Sequence, residues 1–125
     1  MKALALSVAV VIVAAIVVAN LGYADQVFGF LDYVPGHDVT AHFALFGLLS
    51  FAVNAWLSAS GRSRTHVTAE LAGLVVLEEL SQALIPARTF SLVDLSASLT
   101  GLVVGAVASF VLPRAGTPKF HPEAR

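Results

Sequence analysis

Glu79 and Gln82 stand three positions apart in a stretch that is otherwise mostly apolar, so on a helix they share a face. Asp38 and His42 are four apart at the start of a second apolar stretch, and Asp94 and Ser98 are four apart at the start of a third. Arg88 lies on the link between Gln82 and Asp94. Two kinds of chemistry are open to such a set. Arg88 could hold an anionic group, with Gln82 and His42 orienting it and Glu79 and Asp94 fixing the guanidinium. Alternatively, His42 with Glu79 or Asp94 could carry out general acid–base catalysis. A metal centre is a poorer fit, because the set has one imidazole and the chain has no Cys. No HExxH, GxSxG or phosphate-loop pattern occurs, so neither metal nor cofactor is expected.

The elements that would position these residues follow from composition. Of 125 residues 58% are hydrophobic and only 12% charged, and the mean hydropathy is +0.86. Soluble domains carry roughly 25% charged residues, so the shortfall indicates a membrane protein. The formal net charge of −1, with no basic stripe, argues against nucleic acid as a partner. Residues 3–21, 43–60 and 95–112 are uncharged runs, and 67–85 is a fourth, interrupted by Glu70, Glu78 and Glu79. Each approaches the ~20 residues a helix needs to cross the hydrocarbon core, and none alternates with period two. The expectation is an all-α membrane protein, a four-transmembrane-helix bundle with helices near residues 2–22, 39–60, 66–85 and 91–113. Gly22-Tyr23-Ala24 resembles a signal-cleavage site. The first run nevertheless exceeds the ~7–15 residues of a signal core, so it reads as a retained helix.

Charge sets the expected direction. Lys2, Arg62, Arg64, Arg114, Lys119 and Arg125 fall on one side of a four-span chain, and only Arg88 on the other. The positive-inside rule then places both termini in the cytoplasm. The link 22–40 carries Asp25, Asp32 and Asp38 without Lys or Arg and faces outward. Residues 1–113 form a single membrane domain, and 114–125, rich in Pro and charge, reads as a flexible cytoplasmic tail. This topology brings Asp38, His42, Glu79, Gln82, Arg88 and Asp94 to one membrane face.

Each member also has a plainer explanation. Ser91-Leu92-Val93-Asp94 has the form of a capping box, which would make Asp94 a cap. Asp38 could cap a helix, Arg88 could pair with Asp94, and Gln82 could bond between helices. Glu78 points about 100° away from Glu79 and is expected to lie outside the cluster. As a set, six polar groups at one end of an apolar bundle exceed what packing requires. Gly101 and Gly105 form a GxxxG pair that permits close helix contact, either within the bundle or between subunits of a homo-oligomer.

In their order and spacing these residues resemble the VanZ-like family of small bacterial membrane proteins. Asp38, His42 and Phe46, then Glu79 and Gln82, Pro86 and Arg88, and finally Asp94, Gly101 and Gly105 correspond to its pattern across residues 38–105. Val39 stands where a Lys often follows the first Asp, and Ser98 where an Asn is usual. The resemblance implies a multi-pass protein of the bacterial cytoplasmic membrane. The family is named for a protein associated with teicoplanin resistance. Three functions follow as expectations. The first is an outward polar site, Asp38, His42, Glu79, Gln82, Arg88 and Asp94, for a membrane-lipid headgroup or a lipid-linked envelope intermediate. The second is a membrane-embedded enzyme using His42, Glu79 and Asp94. The third is a structural or assembly subunit whose polar cluster only locks the bundle. A through-membrane proton relay is poorly served, since Glu70 is the only acidic residue in the inner halves of the spans.

Overall fold

A computed structural model of the chain describes residues 1–112, and these are helical throughout apart from turns. The helices are α1 (Lys2–Asn20), α2 (Ala24–Phe28), α3 (His37–Ser58), α4 (Arg64–Gln82) and α5 (Leu92–Ser109), with a 3-10 turn at Gly29–Leu31 after α2. The proposed tail 114–125 lies outside the described residues. Three helices, α1, α3 and α5, are long and apolar enough to cross a membrane. The fourth, α4, has the length of α1 but carries Arg64, Glu70, Glu78 and Glu79, and falls short of the others in apolarity.

Helix ends follow local chemistry. Both α1 and α3 close in a Schellman turn around a left-handed glycine. At Gly22 (φ 82) the Tyr23 amide donates to Val18 O, and at Gly61 (φ 80) the Arg62 amide donates to Leu57 O. At the start of α5, Ser91 accepts from the Asp94 amide at 3.2 Å, as its capping pattern predicts. The link 22–40 is more ordered than a plain loop, since it contains α2 and the 3-10 turn.

The packing has one dominant contact. Helices α3 and α5 run parallel and cross at Gly47, Gly101 and Gly105, where the two backbones meet. A Cβ on Gly101 would collide with Phe43 O, and one on Gly105 with Gly47 O. The GxxxG pair therefore joins two helices of the same chain, with α3 packed against both glycines. Helix α4 returns antiparallel between the ends of α3 and α5. Val8, Ile12, Phe46, Leu49, Val75 and Leu102, from all four long helices, form the core. Lys2 lies over the Trp56 ring, and Arg64 reaches Leu112 O. The described chain thus begins and ends at the same end of the bundle. Asn20, Glu79 and Arg88 mark the opposite end.

Candidate functional site

The Arg88 end is built by four elements. Helix α4 delivers Glu78, Glu79 and Gln82 in its last turn, the following turn delivers Arg88, α1 ends at Asn20, and α5 starts at Ser91. Glu79 is 2% exposed, and both of its carboxylate oxygens accept hydrogen bonds. Oε1 takes the Ser91 amide at 2.9 Å, and Oε2 takes Gln82 Nε2 at 3.1 Å. In a capping box the third residue of the helix bonds the N-cap amide. Here that amide is taken by Glu79 from another helix, so the cap of α5 is half local and half tertiary.

Gln82 Nε2 also lies 3.1 Å from both oxygens of Glu78. Arg88 Nη1 donates to Asn20 Oδ1 at 3.2 Å, and Nη2 stands 3.9 Å from Glu78 Oε1. A chain of direct contacts therefore runs Asn20–Arg88–Glu78–Gln82–Glu79–Ser91. Its inclusion of Glu78 corrects the expectation that this residue lies apart. Gln82 follows Glu78 by four residues and Glu79 by three, about 40° to one side and 60° to the other, so its amide reaches both.

The remaining candidates sit elsewhere. His42 Nδ1 is 3.0 Å from Ser98 Oγ, which ties α3 to α5 just above the glycine crossing. Among the described residues its direct partner is thus Ser98, and not Glu79, Arg88 or Asp94. By direct contact Glu79 and Arg88 belong to one chain of side chains, while the side chains of His42 and Asp94 stand outside it. Asp38 is exposed and pairs with His37 Nε2 at 3.0 Å. Asp94 is half-buried, and its backbone amide completes the Ser91 cap. No group of three or more potential metal ligands occurs among the described residues. An open groove of about 620 Å³ lies at this end, between the first turns of α3 and α5. It is lined mainly by Val39, Phe43, Leu92, Val93 and Ala97, and by none of the six candidates.

Two polar sites were not singled out from the residue pattern. Midway along the bundle, buried Asn54 donates through Nδ2 to Ser50 O, Ser50 Oγ and Thr68 Oγ1, while Ser50 Oγ donates to Leu102 O. This network links α3, α4 and α5. At the far end Arg64, 5% exposed, donates to Ser58 Oγ and Leu112 O and stacks on Phe110. One of the charges that set the expected direction of the chain, it also closes the ends of α3 and α5. The signal for Asn54 and Asn20 was an amide within or at the end of an apolar run. Because Ser50 and Thr68 each donate elsewhere, Asn54→Leu orphans no donor in either. We expect it to cost no more than about 1 kcal/mol, measured by unfolding in mixed detergent. A larger loss would mean that the network holds the helices in register.

Comparison of the chain with protein-family models, curated proteins and solved structures finds no match.

Proposed function

We propose that this chain is a VanZ-like protein of the bacterial cytoplasmic membrane that crosses it four times with both termini in the cytoplasm. We further propose that its extracytoplasmic end binds the anionic headgroup of an envelope lipid through Arg88. The packing of helix α4 supports reading it as the fourth span. Leu74, Leu77 and Leu80 are exposed on its outer side, while Glu78 and Glu79 turn inward. Its 19 residues extend roughly 28 Å, close to the hydrocarbon thickness. The cytoplasmic assignment of the termini rests on the excess of Lys and Arg at that end.

The binding reading is carried by one observation. The Arg88 guanidinium has five N–H donors, yet among the described residues it makes one direct hydrogen bond and one loose ion pair at 3.9 Å. A phosphate oxygen pair could take the free donors in bidentate fashion and displace Glu78 from its distant contact. The shared chemistry is a phosphate or pyrophosphate monoanion, in a membrane phospholipid or a lipid-linked envelope intermediate. The test is mass spectrometry of lipids co-purifying with the protein. Arg88→Ala should lose retained anionic lipid, whereas Glu78→Gln, which removes the competing carboxylate, should retain as much or more. If well-expressed Arg88→Ala keeps the lipid complement of the wild type, the reading is wrong. Susceptibility of producing cells to teicoplanin provides an independent readout suggested by the family resemblance.

The structural-subunit reading is favoured by a different observation, the saturation of Glu79 by partners within the chain. The two readings divide the cluster, with Glu79 as a positioning residue and Arg88 as the contact to ligand. Catalysis by His42 is less well supported, because its direct partner among the described residues is Ser98 and neither Glu79 nor Asp94 contacts it.

A further inference from the structure

The connection between α1 and α3 carries three distinct stripes. Tyr23, Val27, Phe30 and Val34 recur at spacings of four, three and four, and all four are exposed, Phe30 at 70%. Ala24, Phe28 and Leu31 recur at spacings of four and three and are half-buried toward the rest of the chain. Asp25, Gly29 and Asp32 share a third stripe, and the Asp32 carboxylate lies 3.7 Å from where a Gly29 Cβ would stand. Up to Leu31 this is an amphipathic helical segment with one face on the protein, one apolar face uncovered and one acidic face, and Asp32 and Val34 follow in the next turns.

The surroundings say what covers the apolar face. Both flanking helices, α1 and α3, are long and apolar enough to span a membrane. Only Leu21, Gly22 and Tyr23 separate the end of α1 from α2, so the segment is tethered at the edge of the hydrocarbon. Gly22 stands beside Ala87, and on that neighbouring turn Leu84 is 86% exposed, which extends the apolar surface. Aromatic side chains with a polar tip or edge are favoured at the level of the headgroups. Residues 21–36 contain two Asp and no Lys or Arg, so adhesion here gains nothing from anionic lipid.

We propose that residues 23–34 lie flat in the membrane interface, with Tyr23, Val27, Phe30 and Val34 sunk to the acyl boundary of a zwitterionic bilayer and Asp25 and Asp32 turned to water. The link is thus a membrane-bound collar beside the Arg88 end and not a solvated loop. The proposal rests on the membrane embedding of α1 and α3 and is independent of what Arg88 binds.

Spin labels test it directly, because the chain has no Cys and a single introduced thiol is labelled alone. Full-length Phe30→Cys, Asp25→Cys and Val10→Cys proteins would be labelled in phosphatidylcholine vesicles. Collision with oxygen, which concentrates in the bilayer, is then compared with collision with an aqueous nickel chelate. The oxygen-to-nickel ratio should be high at Phe30→Cys and inverted at Asp25→Cys. Adding phosphatidylglycerol should not raise it at Phe30→Cys. Nickel access at Phe30→Cys equal to that at Asp25→Cys would put the stripe in water and overturn the proposal. Shielding from both reagents would mean that protein covers it, with the same consequence. A rise with phosphatidylglycerol would overturn the zwitterionic assignment. Val10, exposed in mid-α1, should be oxygen-accessible throughout, so a failure there indicts the membrane reading itself. Val27→Cys, on the same stripe, repeats the measurement should Phe30→Cys fold poorly.

Discussion

Gly105→Ala is expected to destabilise the bundle by about 2 kcal/mol or more, at the upper part of the ~1–3 kcal/mol range for overpacking. The added Cβ meets Gly47 O and lies 2.9 Å from Phe51 N, both backbone atoms that no rotamer change can move. Helices α3 and α5 must separate, and the His42–Ser98 and Ser50–Leu102 bonds that flank the crossing stretch with them. Opposing this is the better helix propensity of Ala, at most ~1 kcal/mol, so the steric term wins. Gly73→Ala is the matched control. Nothing lies within 4 Å of a Cβ there, and the substitution should be neutral or stabilising. Reversible unfolding in mixed detergent checks both. Equal stability of Gly105→Ala and Gly73→Ala would contradict the close approach of the two backbones.

Glu79→Ala should have the second largest effect. It removes the acceptor of the Ser91 amide and so half of the α5 cap, and it leaves a small void at a position 2% exposed. An orphaned buried donor costs about 1–3 kcal/mol, and the lost charge-assisted bond lies in the same range. Gln82 keeps Glu78 as an acceptor, which confines the damage to the α4–α5 link. A local readout follows, because Arg88 is the only Lys or Arg between Arg64 and Arg114. Trypsin added on that side should cut after Arg88 much faster in Glu79→Ala than in wild type. Glu79→Gln retains an oxygen for the Ser91 amide and should show an intermediate effect. Unchanged cleavage in Glu79→Ala would show that Glu79 does not hold the link.

The membrane character of the chain and the extent of its long helices were legible because both depend on local sequence. An uncharged run of about twenty residues must form a helix in lipid to satisfy its own backbone, whatever it packs against. The Ser91 cap and the turns at Gly22 and Gly61 are local for the same reason. Spacing also indicated that Glu79 and Gln82 share a face, and there the two bond to each other. The weaker apolarity of α4 was visible in Glu70, Glu78 and Glu79, but the burial of Glu79 against Ser91 depends on how α4 packs on α5.

Only the tertiary structure decided which polar groups meet. The 100° step that set Glu78 apart from Glu79 was sound geometry, yet a flexible Gln82 between them bridges both, and Arg88 approaches from a turn whose path no periodicity specifies. Asn20 became Arg88's partner because α1 ends beside that turn. Ser98, rather than a carboxylate, met His42 because the glycine crossing brings those two helix faces together, with His42 Nδ1 3.0 Å from Ser98 Oγ. The sequence shows Arg64 only as one of the charges on its side, because a charge count does not reveal that Ser58, Phe110 and Leu112 close around it. Helix formation in lipid is a local energetic demand, and sequence expresses it residue by residue. The pairing of side chains between helices depends on crossing angles and link paths, which arise only when all four long helices pack at once.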